Sequence, residues 1–234
     1  RMATETIGSD GGIRKFAAVG GNKMNETCFP SAIARGVTLN ELAPDVPSDI
    51  SLEWRDEPWV IGQAAIEEHG ATVARSGETK QWFFSEEYLL MTLANISRIT
   101  KAHAQVGLWV GVPMIYFDKN FNDSLVDHLL GRHTITHLSR RDERKKQTIN
   151  IEAVSIRPQT FAAAIPYVAS SKGEIIKNDY SQGKTLFWNI GSGTTALFSF
   201  DGTSGSFRPV SQSCQPVGGW RVIQAVREKL IQKY

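Results

Sequence analysis

The sequence predicts an α/β fold, and three observations carry that prediction. Apolar runs of strand length alternate with segments of helical periodicity along most of the chain. The run "AQVGLWVGVPMIYF" (104–117), bounded by glycine and proline, reads as a strand buried on both faces. Residues 84–102, "FSEEYLLMTLANISRITKA", carry the clearest helix start, with Ser85 as N-cap and Glu86 and Glu87 in the first turn. Leu89, Leu90, Leu93, Ile96 and Ile99 then share one face of that helix.

The remaining elements follow in order. Residues 1–12 are polar and glycine-rich, and by themselves read as a disordered terminus. "IRKFAAV" (13–19) reads as a strand and 20–26 as a turn. Pro30 makes 27–36 an edge strand or an extended loop. Pro44 and Pro47 make 37–53 a loop. Residues 57–61 read as a strand that turns at Gly62 into a short helix ending near Gly70. A helix at about 123–130 closes at Gly131. "HTITHL" and "TINIEAVSI" alternate as strands, with the charged stretch 139–147 as the exposed turn between them. Residues 157–170 read as a helix bent at Pro166. Strands at 185–190, 195–200 and 205–212 follow, and a helix after Gly218-Gly219 ends the sequence.

Composition excludes several classes. The 234 residues are 41% hydrophobic and 21% charged, which suits a protein with a buried core. A formal net charge of +2 supplies no basic field that would require nucleic acid. Cys28 and Cys214 form no CxxC pair, so a reducing cytoplasm is the simplest setting. No apolar run approaches the length of a membrane span. His133 and His137 lie in an alternating β-branched stretch, so they read as one face of a strand rather than a metal pair. The sequence contains neither a GxSxG elbow nor a GxxxxGK[ST] phosphate loop.

Three glycine clusters remain. Gly191-Ser192-Gly193-Thr194-Thr195 leaves an apolar strand and reads either as a hairpin turn or as a nest of backbone N–H groups for an anion. Asp10-Gly11-Gly12 puts a carboxylate beside two glycines, shortly before Lys15. Gly218-Gly219 precedes a helix and reads as a loop or as a helix-terminus anion site.

The order of the pieces resembles the actin-like ATPases, most closely the ParM and Alp group of plasmid-segregation and archaeal actin-like proteins. The resemblance runs over nearly the whole chain, through the early Asp-Gly-Gly, "FPSAIA", "WVIGQAAIE", "VGLWVGVPM", "IRPQTFAAAIPY" and "FWNIGSGTTALFSFDG". It implies an actin-like (ribonuclease H-like) fold of two related α/β domains. Residues 1–165 would form the first domain and 166–234 the start of the second, most of which lies outside the chain. It also implies ATP or GTP with Mg²⁺, bound between two phosphate loops, Asp10-Gly11-Gly12 and Gly191–Thr195. Lys15, Asn189, Gly218 and Gly219 would be further contacts. By the same resemblance Asp10 orients magnesium-bound water, Asn189 faces the metal, and Gln159 orients the attacking water, a task of positioning that a neutral amide can perform. The implied partners are further copies in a filament and a DNA-binding adaptor, with neither nucleic acid nor membrane bound directly.

Three departures stand in the sequence, one of them that it stops at Tyr234 where the family continues with more of the second domain, including a late Gly-Gly loop expected to contact adenosine. Asn189 occupies a position where the family usually has Asp, so a hard cation loses a charged ligand there. The segment before Asp10 is polar where the family has an apolar first strand. The alternatives are a non-catalytic assembly module and a sugar or small-acid kinase of the same fold, for which Asp118 or Asp123 would have to serve as the catalytic carboxylate.

Overall fold

The computed structural model describes residues 4–11, 15–20, 25–41, 50–71, 79–140, 143–170, 174, 176, 182–191, 194–201, 208–215 and 217–233. The chain divides into two compact units, one of residues 1–110 and 119–156, the other of 111–118 and 157–234.

The first unit opens with an antiparallel meander of β1 (Thr4–Gly11), β2 (Lys15–Gly20) and β3 (Asn25–Pro30). Within the polar start of the sequence, Thr4–Gly11 are therefore a strand and not a disordered stretch. Its alternation is carried by Ile7, Ser9 and Gly11, which are buried, while Thr4, Thr6 and Asp10 stay exposed or half-exposed among them. Gly20 is required where β2 meets β1. Its φ is 151°, and a Cβ there would stand 2.3 Å from the Thr6 carbonyl oxygen.

Ser31 and Ala32 alone separate β3 from β4 (Ile33–Arg35). Then come β5 (Ile50–Trp54), β6 (Glu57–Ile61) and α1 (Gln63–His69), so the end of the expected 37–53 loop is strand. Gly70 caps α1 in the left-handed conformation, with φ 63°. Ala64 and Ala65 of α1 pack with Ala32, Leu39 and Val60.

A 3₁₀ turn over Lys80–Phe84 leads into α2 (Glu86–Ile99). Ser85 caps α2 as its sequence promises, its hydroxyl accepting from the Tyr88 N–H at 3.1 Å. The helix lies against β1, β2 and β3 and is buried almost all round, well beyond the single face expected.

β7 (His103–Val112) buries Ala104, Val106, Leu108, Val110 and Val112 and exposes His103 and Trp109. It is thus buried on one face, not on both. Pro113 ends it, and Met114–Tyr116 form a 3₁₀ turn. α3 (Lys119–Leu129) precedes β8 (Gly131–Leu138) and β9 (Arg144–Pro158). Within the charged stretch, Arg144–Gln147 are strand, paired with Leu138–Ile135; residues 141 and 142 lie outside the described residues. His133 and His137 do lie in a strand, with Nε2 atoms 3.1 Å from the Leu129 carbonyl and 3.0 Å from Gln147 Oε1.

Among the described residues one sheet runs in the order β3-β2-β1-β7-β9-β8-β5-β6-β4. β3 and β4 stand at its two ends, yet two residues join them. A link of that length reaches about 10 Å at most, so the sheet must curl until its ends nearly meet.

In the second unit, α4 (Gln159–Val168) packs on an antiparallel sheet of β10 (Lys184–Ile190), β11 (Thr195–Asp201) and β12 (Arg208–Gln215), in the order β10-β11-β12. Its core joins Met114, Ala164 and Phe198 with Phe161, Phe187 and Cys214. α5 (Gly219–Lys233) follows β12.

Candidate functional site

The two glycine loops near residues 191 and 218 come together. β10 and β11 pair down to Ile190↔Thr195, so Gly191–Thr194 form the tip of a hairpin. The Gly191 N–H donates to the Thr194 carbonyl at 2.8 Å and closes the turn. A Cβ on Gly191 would stand 3.2 Å from that same carbonyl oxygen, so glycine suits the close approach. Ser192 and Gly193 lie outside the described residues.

The start of α5 closes on this turn. The Gly219 N–H donates to the Gly191 carbonyl at 3.0 Å. The Thr195 hydroxyl donates to the Val217 carbonyl at 2.6 Å. Gly218 is buried between these two links. Gly218-Gly219 is therefore a joint as well as a loop. The Gly219 N–H, one of the helix-terminal donors that could have met an anion, is used within the protein.

Asn189 sits two residues before the turn, opposite Ala196. It falls on the half-buried side of β10 with Thr185 and Phe187, while Leu186, Trp188 and Ile190 point to the exposed side. Gln159 opens α4 directly after Pro158, whose φ of −64° and ψ of 131° set the extended entry. α4 packs on β10 and β11, the strands that carry the turn. Cys214, half-buried on β12, has its thiol pKa pushed up by burial, so it stays a neutral core group.

The other candidate loop belongs to the first unit. Asp10 and Gly11 end β1, paired with Ala17 and Phe16 of β2, so Asp10 stands beside the hairpin end with its side chain exposed. Gly12 lies outside the described residues; the backbone of Lys15 begins β2. Behind this hairpin stands Tyr88 of α2, fully buried. Burial first, and the Asp10 charge second, hold the Tyr88 phenol far above its ordinary pKa, so it stays neutral beside the carboxylate. Tyr88 went unmarked in the sequence because it reads as one more apolar-face position of α2.

Solved structures share this fold at low sequence identity. The ParM protein of pSK41 in its apo form matches with a TM-score of 0.72 at 16% identity, over 93% of this chain and 67% of its own. A non-polymerisable quadruple mutant of pCBH ParM matches with a TM-score of 0.76 at 15% identity, over 99% and 69%. The archaeal actin homologue Ta0583, solved in complex with ADP, matches with a TM-score of 0.68 at 19% identity, over 97% and 65%. The chain thus spans about two thirds of the length of these proteins. No curated protein sequence matches it closely enough to count as a relative. The family model for the N-terminal domain of actin-like proteins matches residues 8–161, well over half of the chain. The fold is actin-like, and the chain belongs to the family of actin-like proteins.

Proposed function

We propose that this chain is the nucleotide-binding part of a filament-forming actin-like protein, taking ATP or GTP with Mg²⁺. The observation that carries the reading is the Gly191–Thr195 turn closed on the start of α5, in a chain of this family. The residues fit a phosphate. Glycine at 191 leaves the room that a Cβ would fill. Thr194 and Thr195 carry hydroxyls, and Asp10 and Asn189 offer the hard oxygen atoms that magnesium prefers.

In this reading the bound magnesium supplies charge neutralisation on the phosphates. Backbone N–H groups of the turn bind phosphate oxygens. Asp10 and Asn189 hold the metal, and Gly11, Gly12 and Lys15 contribute from the first hairpin. Gln159, at the first position of α4, orients water for hydrolysis. Nucleotide-dependent closure sets the contacts between copies, in a cytoplasmic filament that works in DNA segregation or as cytoskeleton, with an adaptor protein bridging to DNA. The ADP bound by the archaeal homologue and the polymerisation implied for pCBH ParM by its mutant are properties of those proteins; they support this assignment by kinship.

Asn189 favours a second reading, in which nucleotide is bound and assembly proceeds without turnover. Calorimetric titration of the full gene product with ATP and Mg²⁺, followed by phosphate release and light scattering, separates the two. Binding with phosphate release is the expected result. Binding and assembly without phosphate release would favour the second reading. No binding at millimolar nucleotide would sink both.

A further inference from the structure

The first unit holds a cavity of 410 Å³ against one face of the β5–β6 hairpin. That size falls within the range of about 300–1,000 Å³ usual for small-molecule sites. Ser51 and Glu53 share a face of β5, since strand side chains alternate, and pair with Val60 and Pro58 of β6. Ser51, Glu53 and Pro58 all line the cavity. Leu39, which packs with Val60, Ala64 and Ala65 in the core, and Leu138 at the end of β8 complete an apolar floor.

One polar atom interrupts that floor. Ser51 is 4% exposed, and its hydroxyl is buried without a hydrogen-bond partner among the described residues. Buried hydroxyls are nearly always paired, so this one is set to meet a polar group in the cavity.

The rim carries both signs of charge. Arg144 donates to Glu53 through Nη2, which leaves its Nε and Nη1 and the Oε1 of Glu53 without partners among the described residues. The exposed Glu41 carboxylate is likewise unpaired among them. Arg140 is committed to the wall, where it donates to the Asn40 carbonyl at 2.6 Å and pairs with Glu68. Arg140 and Arg144 balance Glu41 and Glu53 in the lining, so the cavity selects neither a net anion nor a net cation.

We infer that this cavity binds a small zwitterion of the α-amino-acid class. Its carboxylate meets the open N–H groups of Arg144, in the planar geometry that a guanidinium offers. Its ammonium meets Glu41 and the open oxygen of Glu53. Its side chain lies on Leu39, Pro58 and Leu138 and ends in a hydrogen-bonding group that reaches Ser51. An uncharged polar side chain such as an amide fits that floor better than an aliphatic one. The site is separate from the glycine loops, and the inference does not rest on nucleotide binding.

The test is calorimetric titration of the full gene product, without nucleotide, using L-glutamine, its α-amide and L-leucine. L-glutamine should bind, and the α-amide, which lacks the carboxylate, should bind at least about tenfold more weakly. L-leucine should also bind more weakly than L-glutamine. Arg144→Met and Glu41→Gln alter exposed side chains and so should keep the fold, checked by circular dichroism. Each should weaken L-glutamine binding at least about tenfold. Ser51→Ala should weaken L-glutamine and leave L-leucine unchanged. Absence of binding by L-glutamine at millimolar concentration would overturn the inference and leave the cavity to water. So would equal binding of the α-amide, or an affinity that Arg144→Met does not change.

Discussion

Gly219 and Gly191, 28 positions apart in sequence, are joined by a backbone hydrogen bond of 3.0 Å from the N–H of the first to the carbonyl of the second. The hairpin tip and the base of α5 are therefore tied together, with Thr195 and Val217 forming the second tie.

Replacing Gly191 with Ala tests the tip. The new methyl group would lie 3.2 Å from the Thr194 carbonyl oxygen, so the turn must open by a few tenths of an ångström. The expected outcome is a loss of about 1 kcal/mol or less in stability, seen by calorimetry. Nucleotide affinity, read by titration, should fall by about tenfold, equivalent to about 1.4 kcal/mol.

Thr195→Val removes the second tie and keeps the side-chain shape. The lost hydrogen bond should cost about 1 kcal/mol. Hydrogen exchange should show faster exchange in the first turn of α5 than in β11, because the change acts at the joint.

Much of this architecture is legible in the sequence, and the failures have physical causes. Ser85, Glu86 and Glu87 announce α2 because capping is local. The burial of α2 all round is not local; it depends on which strands lie against it. β1 escaped detection because Ser9 and Gly11, small and polar or neutral, do the work of inward-facing apolar residues. Lys145 and Lys146 read as turn residues because strand pairing with His137 and Thr136 is set from outside their own segment. At the candidate site the turn was readable from its glycines. Its bond to Gly219 was not, since the intervening meander fixes that approach.

Arg140 offers a test in the first unit. Its side chain is 4% exposed, donates to the Asn40 carbonyl at 2.6 Å and pairs with Glu68. Arg140→Met should destabilise by about 3–5 kcal/mol, because it leaves Glu68 charged and largely buried. Adding Glu68→Gln should recover part of the loss in chemical denaturation.

The same pair sets an acid limit. The Arg140 hydrogen bond holds the Glu68 carboxyl below its ordinary value of 4.5. The contribution of Glu68 is complete above the unfolded value and declines as pH falls through the folded one. Wild type should lose stability relative to Glu68→Gln below about pH 4.5, in urea melts at stepped pH.

The histidines act at higher pH. Burial is the main cause that lowers the pKa values of His128, His133 and His137 from 6.5. The unfolded chain then binds more protons below 6.5, so stability should decline as pH drops from that value. In NMR titration these three rings should show midpoints below 6.5; midpoints at or above it would refute the assignment.

The hairpin of β5 and β6 stores strain at Arg55 and Asp56, whose φ angles are 53° and 61°. Arg55 is held there by Glu86 at 2.9 Å and by the Trp54 ring at 4.0 Å. Asp56→Gly should raise stability by about 0.5–1 kcal/mol, measured as a higher melting temperature.

The tie between Gly191 and Gly219 makes α5 a lever arm. A helix from Gly219 to Lys233 is about 21 Å long from its fulcrum at the turn. A tilt of about 10° at the hairpin tip would carry Lys233 through about 4 Å, so a small change in the turn is amplified at the far end of the helix.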